Sequence, residues 1–211
     1  MPIVTKILEQ KRRANRRNIY LDGRFAFGLN DNVVARFRLR VGMNLTDAQV
    51  AQIEQGEVRQ ECFDDAMKYL KSRLHSRAEL RRKLVRREHP EQMIDEVLSE
   101  LGRMGYLDDA RFARTKALAA AEHKHHGRRR AFVELLKAGV KRDVADAALD
   151  DVYEQSDSLA AARMLAEKKA GSLKKLEPMV ARRRLAGMLQ RRGFDYETIK
   201  PVIDQVLADH D

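Results

Sequence analysis

The chain has 211 residues, 44% of them hydrophobic and 35% charged, with 42 lysines and arginines against 32 aspartates and glutamates and a formal net charge of +10. That apolar share is enough for real cores, while 6% aromatics and no tryptophan point to a helical, surface-rich architecture rather than a β-sandwich or barrel. The single cysteine, Cys62, excludes an internal disulfide, and no apolar run reaches the roughly 18 residues of a membrane span.

The opening "MPIVTKILEQKRR" carries no apolar core of signal-peptide length before its charges, so a soluble cytoplasmic protein is expected. "TKILEQ" and "NIYLDGRFAFGL" have the composition of short strands. Between "IYL" and "RFAF", Asp22-Gly23 is the dipeptide that a type I′ turn needs, because both central residues must take positive φ. "NDNVVARFRL" predicts a short helix and "TDAQVAQIEQ" another, with Thr46 as N-cap and Gln49 closing a capping box. These segments form a small α+β module over residues 1–60.

Beyond residue 60 the strand pattern stops and helices repeat. "SRAELRRKLVRREHPEQMIDEVLSEL", "GRRRAFVELLKAGVKRDVADAALDDV" and "ARRRLAGMLQRRGFDYETIKPVIDQV" align on Leu84, Leu135 and Leu189, at offsets of 51 and 54 residues. Ile94, Ala145 and Ile199 then coincide, as do Leu98, Leu149 and Ile203, and Leu101, Val152 and Val206. Each window is a basic helix, a break at Glu88-His89-Pro90, Gly139 or Gly193, and a second helix with apolar residues at i, i+3, i+4 and i+7. A further helical stretch precedes each: "FDDAMKYLKSRL", "DDARFARTKALAAAE" and "DSLAAARMLAEKKA". The expected fold is mainly α, an elongated tandem array of three three-helix repeats at 61–106, 107–155 and 156–211. Units of this size bury too little surface alone, so neighbours must stack.

Adjacent carboxylates at Asp108-Asp109 pose the question of catalysis. Gly105 suits a left-handed helix end, Asp108 the N-cap of the next helix and Asp109 its first turn. The same acidic start is expected at Asp64-Asp65 and Asp157, and a catalytic dyad has no reason to recur at each repeat. His123, His125 and His126 lack accompanying cysteine or carboxylate ligands and precede Gly127 at an expected helix end. With no phosphate-binding glycine loop, nucleophile elbow or Cys-x-x-Cys pair, no catalytic residue, metal site or cofactor is expected.

Positive charge is patterned instead. Arg77, Arg81, Arg82, Lys83, Arg86 and Arg87 in the first repeat, Arg128, Arg129, Arg130 and Lys137 in the second, and Lys174, Lys175, Arg182, Arg183 and Arg184 in the third all fall on or beside the middle helix. Acids gather on the third helices, as in "PEQMIDEVLSE" and "DVADAALDDV". Stacked repeats put equivalent helices in register, so these cations are the candidates for contacting phosphate or an acidic partner.

"HSRAELRRKL", followed by "GYLDDARFA", three degenerate helical repeats, and the leading "IVTKILEQ" and "IYLDGRFAFGLN", together resemble the RecX family of bacterial regulatory proteins. The likeness spans almost the whole chain and is strongest from Cys62 to Arg114. It implies a monomeric, non-enzymatic negative regulator of homologous recombination and the SOS response. Such a protein binds in the groove of the RecA filament on single-stranded DNA and inhibits filament extension, ATP hydrolysis, strand exchange and co-protease activity. The alternative from the residues alone is a free-standing helical-repeat protein that binds nucleic acid without the recombinase.

Overall fold

A computed structural model describes residues 1–11 and 13–208. The fold is mainly α: a small N-terminal α+β module leads into three successive three-helix repeats. Contacts divide the chain into two compact units, one of Met1–Arg73 with Leu80–Tyr106, the other of Leu74–Glu79 with the chain from Leu107 onward.

In the first unit, β1 (Val4–Gln10), β2 (Arg13–Leu21) and β3 (Arg24–Asn30) form an antiparallel sheet in sequence order. The β2–β3 turn takes positive φ at both Asp22 (49°) and Gly23 (81°), as a type I′ turn requires, and pairs Leu21 with Arg24. Helix α1 (Asp31–Arg36) is capped by the Asn30 side chain, which accepts from the Asn32 N–H. Helix α2 (Asp47–Ser72) starts with both hydrogen bonds of the Thr46–Gln49 capping box. Val4, Ile19, Leu29, Val33, Leu39, Leu45 and Ile53 make the module's core.

Helix α2 runs unbroken through residue 60, where the sequence pattern suggests two helices. Asp64 and Asp65 are therefore mid-helix and do not start one. Asp64 accepts from the Asn30 amide at 2.9 Å, and the buried Asp65 is held by Lys68, Arg87 and His89. Tertiary partners, not caps, explain these acids.

The repeats follow the alignment read from the sequence. Their middle helices are α3 (Arg77–Val85), α6 (Arg128–Ala138) and α9 (Pro178–Arg191), and their third helices α4 (Glu91–Arg103), α7 (Arg142–Tyr153) and α10 (Tyr196–Ala208). The carbonyls of Leu84, Leu135 and Leu189 each accept from the residue five places on, namely His89, Val140 and Phe194. The residue between takes positive φ in every case: Glu88 at 61°, Gly139 at 83° and Gly193 at 88°. All the aligned apolar positions are buried. First helices α5 (Asp109–Leu118) and α8 (Ser158–Ala170) complete the second and third repeats. The small buried residues Ala162, Ala166 and Ala170 share one face of α8.

Asp108 caps α5 by accepting from the N–H groups of Ala110 (2.9 Å) and Arg111 (3.0 Å), and Asp157 caps α8 through Ala160. Asp109 has a second task, because it accepts from the Arg77 N–H at 2.7 Å, at the start of α3. Replacing Asp108 with alanine should lower stability by roughly 0.5–2 kcal/mol, whereas Asp108→Asn should stay close to the parent. Chemical denaturation separates the two; an equal loss in both variants would contradict the capping role.

Within the second unit, successive repeats meet through one recurring junction. The Ser76 hydroxyl donates to the Ala138 carbonyl (2.6 Å), and 51 residues on, the Gly127 N–H donates to the Arg192 carbonyl (2.8 Å). Ala138 and Arg192 are themselves 54 residues apart, the repeat offset. Thus the end of one middle helix supplies carbonyl acceptors to the start of the preceding repeat's middle helix, taken by a hydroxyl at the first junction and by backbone N–H groups at the second. At the second junction Gly127 and Gly193 touch backbone to backbone: a Cβ on Gly127 would lie 2.3 Å from the Gly193 carbonyl oxygen.

Candidate nucleic-acid interface

The candidate cations occupy α3, the turn after it, α6, the turn before α9 and α9, and their neighbours divide them into classes. Arg128 donates to Asp150 (2.6 Å) and Asp146 (3.2 Å), and Arg182 reaches Asp204 (2.6 Å). Arg128 and Arg182 are 54 residues apart, as are Asp150 and Asp204, so this is one ion pair repeated between middle and third helix. The Asp150 hydrogen bond holds the Arg128 guanidinium's pKa above its ordinary value. Arg81 pairs with Asp95 and Glu91, Arg87 with Asp65, and Arg130 with Glu134. Lys83 lies over the Tyr69 ring at 4.3 Å. Arg77, Arg82 and Lys137 also make contacts within the protein.

A second class faces outward. Lys174, Lys175, Arg183, Arg184 and Arg86 are exposed and have no carboxylate partner among the described residues. Arg129 is exposed too; its charge helps to lower the Asp195 pKa, behind the larger effect of the Thr198 hydrogen bonds. Four of these six cations belong to the third repeat, where Met179 is 76% exposed beside Arg183 and lines the same shallow depression. Long, unpaired cations near an exposed apolar side chain can approach phosphates without first breaking an internal ion pair.

The first unit holds a polar cleft of about 840 Å³ that local sequence patterns do not signal. Its lining includes Arg13, Arg16, Lys71, Arg87 and His89 together with Glu61, Asp64 and Asp65. Burial pushes the Asp65 carboxyl up, but hydrogen bonds from Lys68, His89 and Arg87 outweigh it and hold the pKa low. Arg16 bridges Glu57 (2.9 Å) and Glu61 (3.1 Å), and Glu57 also accepts from the Asn30 N–H (2.7 Å). Positive and negative groups largely neutralise each other here, so the cleft is a structural network between α2 and the sheet. Partners 22 to 45 residues apart leave no periodic trace.

Chemical groups elsewhere are occupied structurally. Burial pushes the Cys62 thiol up to about 11, which removes thiolate chemistry at neutral pH. Among the described residues no three histidine, cysteine or acidic side chains are grouped to hold a metal. His126 is buried, with Nδ1 at 3.2 Å from Glu134 but off hydrogen-bond geometry, and its carbonyl accepts from the Tyr153 hydroxyl. A π-helical turn, Ala119–His123, precedes it.

Burial, reinforced by the positive charge of Arg130 and opposed by Glu134, lowers the His126 pKa from 6.5. Its neutral form is thus favoured by folding: the stability it contributes is complete above pH 6.5 and falls as pH drops toward the folded-state value. Thermal unfolding should therefore lose stability between pH 7.5 and 5.5 more steeply in the parent than in His126→Gln. Identical slopes would remove His126 as the cause.

Four domain families match in order along the chain: the regulatory protein RecX N-terminal domain at 2–46, and the first, second and third RecX three-helix domains at 62–101, 108–149 and 155–203. The regulatory protein RecX of Bacillus velezensis is 30% identical over 211 residues, covering 100% of this chain and 80% of the relative. The chain belongs to the RecX family. A RecX from Leuconostoc mesenteroides is 29% identical over the same length, 78% of that relative. A crystal structure of a regulatory protein RecX superposes with a TM-score of 0.80 at 24% identity, covering 97% of this chain and 100% of the other. RecX from Lactobacillus salivarius gives 0.63 at 21%, covering 72% and 97%. The RecX fold therefore extends over both units, and among the described residues no helix is long and apolar enough to cross a membrane.

Proposed function

We propose that this chain is a negative regulator of the RecA recombinase, acting in the cytoplasm as a monomer and without catalysis of its own. It binds the RecA filament on single-stranded DNA along the groove and inhibits extension, ATP hydrolysis, strand exchange and co-protease activity, restraining homologous recombination and the SOS response. The observation that carries this reading is the match of all four RecX domains, in order, along the chain. Basic middle helices in every repeat support it, since a filament groove containing DNA presents phosphates and acidic protein surface to a repeat protein.

The test is RecA's single-stranded-DNA-dependent ATPase with increasing amounts of the purified chain. Turnover should fall at substoichiometric to comparable amounts, while the chain alone hydrolyses neither ATP nor DNA. Unchanged filament turnover, with binding to naked DNA retained at the same salt, would replace the proposal by a free-standing nucleic-acid-binding protein. The unpaired cations of the third repeat favour that second reading. Intrinsic turnover that survives contaminant controls would overturn both.

A further inference from the structure

The N-terminal sheet has a side that the module's core does not use. Ile7, Ile19 and Phe27 form one cross-strand row and belong to the core. Side chains alternate along β1 and β2, so Lys6 and Tyr20 in one flanking row and Leu8 and Asn18 in the other face the other way; a bulge in β3 between the Phe27 and Phe25 pairings puts Phe25 opposite Tyr20, in ring contact with it, although it is only two residues from Phe27. Phe25 is 58% exposed and Leu8 48% exposed. Phe25 is also held in place: its ring meets Tyr20 edge-on, centroids 5.9 Å apart, directly after the type I′ turn. Asn18 accepts from the Gln10 amide at 2.8 Å on this same face.

The chemistry of these groups selects an occupant. The two rows contain a lysine, a supported aromatic ring, an aliphatic side chain and an amide, and no carboxylate. Glu9 lies in the row with Arg17 and the core residue Leu29, where it pairs with Arg17 at 3.1 Å, and Asp22 is tied to the Ile3 N–H at 2.9 Å. Exposed cations flank the sheet at Lys11, Arg13 and Arg24. The next row along, Arg16–Asn30, brings in Glu57 and Glu61 of α2, but Arg16 holds both. An immobilised aromatic face in rows that carry cations and no carboxylate of their own is what an unpaired base needs: the ring stacks on it and the cations take the backbone. A duplex hides its base faces and cannot use such a platform.

We infer that the open face of this sheet is a stacking site for single-stranded nucleic acid, with Phe25 as the ring that takes the base and Tyr20 as its support. The site is separate from the middle-helix cations and does not depend on the recombinase. It is read with protein and oligonucleotide alone, while filament ATPase inhibition is measured independently.

Because the chain has no tryptophan, Phe25→Trp places a single indole at the site. Adding oligo(dT) to the full-length variant at low salt should quench that fluorescence, with a midpoint equal to that from anisotropy of a labelled oligo(dT). Duplex DNA of the same length should leave it unquenched. Phe25→Ala, at an exposed position that does not support the core, should weaken oligo(dT) binding about five- to hundredfold. No oligo(dT) binding, an unquenched indole in the bound complex, equal quenching by duplex, or parent affinity in a folded Phe25→Ala would each overturn the inference.

Discussion

Gly193→Ala is expected to destabilise the protein by roughly 2–5 kcal/mol, combining a left-handed backbone cost of about 1–2 kcal/mol with overpacking of about 1–3 kcal/mol. Gly193 has φ +88°, and an added Cβ would lie 2.4 Å from the Arg130 nitrogen and 2.5 Å from the Arg130 Cβ, neither of which is a flexible side-chain tip. Two companions separate the terms. Gly105→Ala carries φ +74° with nothing within 4 Å of the new Cβ, so only the backbone cost applies. Gly127→Ala has an ordinary φ of −70° but meets the Gly193 backbone at 2.3 to 2.4 Å, so only the clash applies. Because the clash lies between repeats, Gly127→Ala and Gly193→Ala should speed amide exchange at the Gly127 N–H, which the Arg192 carbonyl protects. Gly105→Ala should leave that amide alone. Equal stability of Gly105→Ala and Gly193→Ala would show that the repeat junction yields without cost.

What the sequence makes legible follows from the range of the physics involved. The Asp22-Gly23 turn, the Thr46–Gln49 capping box, the Asp108 and Asp157 caps and the glycine helix ends are decided within a few residues, and each appears where its spacing places it. The repeat register is equally plain, because every third helix must bury the same three positions. Helix α2 was not legible. The paired acids Asp64-Asp65 look like a new start, yet the helix runs through them and through Gly56, since a mid-helix glycine costs only about 1 kcal/mol. Here its bare Cα makes room for the Phe37 ring, which a Cβ would meet at 2.7 Å. The acids, meanwhile, serve partners from other elements. The basic clusters were legible as positions but not as a surface. Arg130 pairs with Glu134 in its own helix, but most of the pairing depends on acids of another element, such as Asp95 for Arg81, 14 residues away, and Asp150 for Arg128, 22 away.

That division of the cations predicts unequal effects. Reversing Lys174, Lys175, Arg183 and Arg184 together to glutamate should weaken single-stranded DNA binding at low salt by an order of magnitude or more. Each lost phosphate contact removes about 0.7 from the magnitude of the salt slope, so four make it shallower by about 3. Filament ATPase inhibition should decline in parallel, because the same contacts serve the proposed regulatory complex. These side chains are exposed and without carboxylate partners among the described residues, so the variant should fold with stability near the parent. Arg128→Ala and Arg182→Ala make the contrast. Each breaks the repeated pair to Asp150 or Asp204, a partly exposed interaction worth up to about 1 kcal/mol, and frees an acid beside the middle helix. Their cost should therefore appear in thermal unfolding, with the salt slope nearly unchanged because those guanidinium groups are already committed to carboxylates. A well-folded fourfold variant that binds and inhibits with the parent salt dependence would show that the third repeat's cations are only a solvated face. A shallower slope in Arg128→Ala, at unchanged stability, would show that the ion pairs open to receive phosphate, and the contact surface would then extend through the second repeat as well.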